Sequence, residues 1–213
     1  MRNIKKIPFI AMIIMAVLSF SNLFGLTIAG ASVIIGILFF FINNAYEKRP
    51  STDSGLDIKA IGANMKGKGI WIWLLLPLIM DAVSMTIAKL FVPGYIEHVL
   101  ERTDIFISFD KMLLMVFQLA ILALGEEIAW RAFFQKQLNK GFSIVPVLLI
   151  SSALFSLGHV TQGNVNIVVY DIVFVFINSI LYGIIFYKTN NAWVSAISHF
   201  MANLFSIIVL VLL

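Results

Sequence analysis

The chain has 213 residues, of which 61% are hydrophobic and 12% charged, with a mean hydropathy of +0.99. Those values exclude an ordinary soluble domain and define an integral membrane protein. It has no cysteine, which excludes a disulfide framework and a cysteine-ligated metal, and the net charge of +4 needs no nucleic-acid partner, because an anionic inner leaflet selects for basic loops.

Seven apolar runs follow one another: Pro8 to Phe24, Ile28 to Ile42, Ile70 to Val92, Met112 to Trp130, Ile144 to His159, Asn166 to Tyr187 and Ala192 to Leu213. A bilayer-spanning helix needs about 20 residues, so each run approaches or exceeds a span, and the second and fifth are short enough to be tilted or partly re-entrant. The expected fold is an all-α, polytopic transmembrane helical bundle of about seven spans. The basic start before Pro8 imitates a secretory signal, but the long apolar stretch and the spans that follow it predict a retained first helix.

The polar stretch Asn43 to Gly69 reads as a cytoplasmic loop, rich in turn formers. It divides residues 1–69, two N-terminal helices plus this loop, from residues 70–213, a helical core, within one integrated membrane domain. Pro93 to Asp104 reads as an outer loop with a short interfacial helix, and His98 within it as solvated surface. With the N-terminus cytoplasmic, 12 of the 15 basic residues fall inside: Arg2, Lys5, Lys6, Lys48, Arg49, Lys59, Lys66, Lys68, Arg131, Lys136, Lys140 and Lys188. Only Lys89, Arg102 and Lys111 are left over. The positive-inside rule therefore predicts a multi-pass protein of the cell membrane with its N-terminus in and its C-terminus out.

The fourth run contains two adjacent acids, Glu126 and Glu127, where a charge costs roughly 2.5 to 3.5 kcal/mol on insertion scales. Glu127 and Arg131 are four apart and share a helix face, so they can form an ion pair; Glu126 lies about 100° round and is left free. Phe155 and His159 share a face of the fifth helix, and His199 and Asn203 a face of the last. If the fourth and fifth helices form an antiparallel hairpin about Gly141, Glu126 is level with Ser156 and Glu127 with Phe155. His159 is then less than one turn away, at ~1.5 Å per residue. Because Arg131 and the polar residues after it suggest that the fourth helix extends into the cytosol, the groups are expected to converge in a cavity opening inward. Phe155 reads as packing that walls this cavity. Asp81 and Lys89 lie near one face of the third span, Asp171 and Asn178 on one face of the sixth, with Asn178 within reach of the cavity.

Three motifs stand in order, each on its own span: "EEIAWR" (Glu126 to Arg131), "FSLGH" (Phe155 to His159) and "HFMAN" (His199 to Asn203). In these the chain resembles the CPBP intramembrane proteases, the family of CAAX proteases and bacteriocin-processing enzymes, also called Abi. The resemblance implies an endopeptidase in which Glu126 activates a water that His159 helps to position. It gives His199 and Asn203 the binding of that water or of the oxyanion, and Glu127 and Arg131 a structural role. The chemistry agrees, since peptide hydrolysis needs a base and donors aimed at the developing oxyanion.

Glu126, His159 and His199 would also make a two-histidine, one-carboxylate Zn²⁺ site, although the HExxH helix of zinc proteases is absent. Both the metal and the metal-free version stay open at this point. The partners implied are the lipid bilayer and a peptide or protein substrate, with bacteriocin immunity or peptide maturation as the setting. A rival reading is a non-enzymatic immunity or binding protein, or a proton-coupled carrier, because intramembrane Glu and His also build proton relays. A carrier more often shows internal repeats, and none is visible.

Overall fold

The computed structural model describes residues 4–26, 28–67, 69–104 and 111–212. Arg2 and Lys68, counted above with the inner basic residues, and Leu213 lie outside them. The described residues are helical, with no strand among them. Seven apolar helices carry the bundle: α1 (Lys6–Phe20), α2 (Ala31–Tyr46), α3 (Ile70–Phe91), α5 (Met112–Glu127), α6 (Ile144–Leu157), α7 (Val165–Thr189) and α8 (Ala192–Leu212), with α4 (Tyr95–Asp104) between α3 and α5. Among the described residues, five stretches are long and apolar enough to cross a membrane, including Lys6–Phe24 and Met112–Leu138, while α2 and α6 are shorter, as the sequence predicts.

Side chains on the outside of the bundle are apolar: Val17, Ile34, Leu113 and Val145 are each more than 60% exposed. Water would penalise such a surface, whereas lipid accepts it, and the helices satisfy their backbone groups internally. The chain is a multi-pass membrane protein.

Helix α5 does not end at Glu127. It passes into a π-helical segment, Ile128–Gln135, and a last α-turn, Lys136–Leu138. Every side chain from Glu127 to Gln135 is buried, as are Gln137 and Leu138, because α2 lies against this segment and the 43–69 stretch covers its end. Arg131, counted with the inner cations, is likewise buried inside the bundle. The approach of α2 is close enough that a Cβ on Gly36 would come within 2.5 Å of the Ala129 Cβ and 2.8 Å of its Cα. Helices in lipid associate through such close backbone packing rather than through the hydrophobic effect.

The stretch after α2 is not a free loop. It forms short helices at Ser51–Ser54, Ile58–Ala60 and Ile61–Met65. These cap one end of the bundle, with Ala192 N donating to Gly55 O at 2.8 Å, Asn191 Nδ2 to Asp57 O at 2.7 Å and Lys136 Nζ to Asp53 O at 2.5 Å. This end also holds Lys5, Arg49 and Lys140 around Glu47 and is the basic end of the molecule.

The opposite end is closed by α4. Arg102 Nη1 donates to Asp171 Oδ2 at 2.5 Å, and His98 Nε2 lies 3.7 Å from the same oxygen. His98, with a side chain 9% exposed, is therefore a clamp between α4 and α7 and not solvated surface. A carboxylate buried on a membrane helix needs a cationic partner, and α4 supplies it.

Candidate active site

The α5–α6 hairpin, α7 and α8 bring the motif residues together. Glu127 and Arg131 both have side chains 0% exposed, with Arg131 Nε 3.4 Å from Glu127 Oε2. Glu127 sits at the junction of α-helix and π-helix, so the four-residue spacing still brings the two groups into contact. Arg131 Nη2 also donates to Ser179 Oγ on α7 at 2.8 Å, and its guanidinium lies 5.4 Å from the Phe155 ring centre.

Glu127 does more than brace Arg131. Its Oε1 is 3.2 Å from His199 Nδ1. Beside the guanidinium the carboxylate is the acceptor, so Nδ1 carries the proton and Nε2 is aimed away from Glu127. That Nε2 lies 3.6 Å from Glu126 Oε2. Tyr182 of α7 stacks on the His199 ring, with centroids 4.3 Å apart and planes 18° from parallel. The sequence reading missed Ser179 and Tyr182: they lie on a helix without a motif, and only the packing of α7 brings them here.

His159 stands in the turn just past α6, not on the helix as the four-residue spacing suggests. Its Nδ1 is 2.9 Å from Phe155 O. A carbonyl only accepts, so Nδ1 is the donor and Nε2 faces Glu126, 4.0 Å from Oε1. Phe155, buried as expected, touches both imidazoles, with ring centroids 4.5 Å from His159 and 6.3 Å from His199. The turn that carries His159 is held from outside the motifs: Asn22, in the 3₁₀ turn Ser21–Phe24 after α1, donates from Nδ2 to Gly158 O at 2.9 Å and to Val160 O at 3.0 Å. An asparagine in an apolar N-terminal run was the only signal for it.

Asn203 lies one turn beyond His199 on α8, half-buried, and its side chain makes no hydrogen bond among the described residues. Asn178 is taken up by Asp81, donating from Nδ2 to Oδ1 at 2.5 Å, while Ser206 Oγ donates to Asp81 Oδ2 at 2.8 Å. Asp81 thus links α3, α7 and α8, and Lys89, read as near the same face, is exposed instead. Asp171, on the Asn178 face, is engaged by α4.

Glu126 is the less buried acid, with a side chain 21% exposed, and His159 is 28% exposed. Accessibility therefore lies on the His159 side of the cluster. A groove of about 650 Å³, lined by Leu157, Val160 and Thr161, adjoins the turn that carries His159. Among the described residues, no three His, Asp or Glu side chains are placed as a metal-ligating group. Glu126, His159 and His199 nevertheless converge, with both Nε2 atoms facing the Glu126 carboxylate.

Fold and cluster define a class: polytopic helical membrane proteins with a Glu and His centre inside the bundle. Residues 108–205, the stretch that carries all three motifs, match the family model described as type II CAAX prenyl endopeptidase Rce1-like. The match is to the CPBP, or CAAX protease, family, the one that the three motifs resemble. No curated protein and no solved structure matches the chain.

Proposed function

We propose that the protein is an intramembrane endopeptidase that hydrolyses a peptide bond of a membrane-associated peptide or protein, with Glu126 as general base. The observation that carries this reading is the convergence of two imidazole Nε2 atoms on one carboxylate, at 3.6 and 4.0 Å. Both separations exceed a direct hydrogen bond and suit one shared water.

Neutral His159, its Nδ1–H fixed on Phe155 O, accepts one water O–H at Nε2 and so orients the nucleophile. Glu126 takes the other proton as the water oxygen bonds to the substrate carbonyl carbon. The carbonyl oxygen becomes the oxyanion. His199, an imidazolium when it sits between the two carboxylates, donates to that oxyanion from Nε2, and Asn203 Nδ2 is the second donor one turn along α8. Glu126 then passes its proton to the leaving amine as the C–N bond breaks, which restores the carboxylate. Glu127 and Arg131 hold His199 and the α5 backbone in register and transfer no proton.

The topology that goes with this reading has residues 1–69 and 70–213 in one membrane domain, with the N-terminus and the basic end in the cytoplasm of a cell membrane and the C-terminus outside. A reporter fused after Leu213 is expected to be active only on the outer face. The family resemblance supports peptide maturation or bacteriocin immunity as the setting.

The test of activity is the purified chain in proteoliposomes with a peptide library, read for cleavage products and, in parallel, for proton flux after a pH jump. Cleavage without flux is expected. Proton flux without cleavage would support the carrier reading and overturn the protease.

A further inference from the structure

At the basic end, a cleft of about 670 Å³ lies between the start of α1, the residues after α2 and the α5–α6 turn, far from the Glu126 cluster. Its cations are Lys5, Lys48, Arg49 and Lys140. Three of them share one carboxylate: Lys140 Nζ is 2.9 Å from Glu47 Oε1, Lys5 Nζ is 3.7 Å from it, and the Arg49 guanidinium pairs with Oε2. Asp53, at the rim, is engaged by Lys136 at 3.5 Å. Lys48 is exposed and has no ion-pair partner among the described residues. The chain turns there through a left-handed conformation, with φ 48°. The cleft therefore carries more positive charge than its own acids offset. Burial pushes the Glu47 carboxyl up, but Lys140 and Arg49 outweigh it and hold it at about 2, so it stays anionic and keeps the cations gathered.

The surroundings are those of a membrane boundary. Lys5 lies over the Tyr46 ring, 4.7 Å from its centroid. Two residues along the chain from the cleft's Lys5 and Lys140, the side chains of Ile7 and Phe142 are more than half exposed and offer apolar surface next to the charged lining. A ligand that fits must be anionic at one end and apolar at the other, since a free anion would leave the flanking surface unused.

We propose that this cleft binds the headgroup of an anionic phospholipid, its phosphate against Lys48, Arg49 and Lys140 and its acyl chains along Ile7 and Phe142. Bound there, the lipid bridges α1 and α2 to the α5–α6 hairpin. The site stands independently of the proteolytic reading.

The experiment is native mass spectrometry of the full chain released from detergent micelles, with phosphatidylglycerol, phosphatidylcholine or inorganic phosphate added at matched concentration. One phosphatidylglycerol is expected to be retained in preference to phosphatidylcholine. Retention should weaken by about fivefold in Lys48→Gln, and by a similar further factor in Lys48→Gln/Arg49→Gln, as each cation near the surface is removed. Lys48 is exposed and unpaired, so the single variant keeps its fold, which size-exclusion elution checks. Equal retention of the two lipids, unchanged retention in both variants, or displacement of the lipid by equimolar inorganic phosphate would each overturn the proposal.

Discussion

Replacing Glu127 by Gln removes the carboxylate that pairs with Arg131 while leaving the guanidinium in a fully buried position. Breaking a buried ion pair from one side costs about 3 to 5 kcal/mol, because the remaining charge is uncompensated. The structure places this variant at the lower end, about 3 kcal/mol by the same rule: Arg131 keeps its bond to Ser179, and the Gln amide oxygen can still accept from His199 Nδ1. Against a total stability of roughly 5 to 15 kcal/mol for a typical protein, that loss is large. Fluorescence-detected size-exclusion after stepwise heating measures it, with Glu126→Gln as the control, since Glu126 is partly exposed and unpaired with arginine. Glu127→Gln should melt well below the wild type, and Glu127→Gln/Arg131→Met should recover part of the loss. If both single glutamate variants melted together, the division of labour between the two acids would be wrong.

Two further outcomes follow from groups outside the motifs. Asn22→Ala leaves the Gly158 and Val160 carbonyls without the donor described above, which costs about 1 to 3 kcal/mol when such groups stay dry; it should lower turnover while hydrogen exchange rises in the α6–α7 turn and not in α8. Burial raises the Glu47 carboxyl, but Lys140 and Arg49 outweigh it and hold it at about 2, below the 4.5 of a free glutamate. Its contribution to stability is therefore full above the unfolded value and disappears as pH falls from about 4.5 through about 2. The melting difference between wild type and Glu47→Gln should shrink across that window, and a difference that stayed constant with pH would contradict the cluster.

Much of this was legible in the residues. The length of each apolar run placed the helices, down to the shortness of α2 and α6, because a bilayer sets the length of whatever crosses it. The i,i+4 spacing identified the Glu127 and Arg131 pair, and the hairpin about Gly141 brought His159 to the depth of Glu126. What could not be read were features that depend on neighbours distant in sequence. The π-helical stretch after Glu127 has no compositional signal and exists where α2, through Gly36, presses on Ala129. His98 looks like loop surface until Asp171, from 73 positions further along, turns toward it. Glu127 was legible as the partner of Arg131, but its second bond, to His199, required the path of α8.

The account stands on Glu126 taking a proton from water, and the most direct measurement is the single-turnover cleavage rate of a verified peptide substrate by the wild type, Glu126→Gln and Asn203→Ala. Glutamine keeps the size and polarity of the side chain but cannot accept the proton, so Glu126→Gln should cleave at least ~10²-fold more slowly with its melting temperature unchanged. Asn203→Ala should lose ~10² to 10³ for the missing oxyanion donor. Cleavage by Glu126→Gln at the wild-type rate would contradict the mechanism.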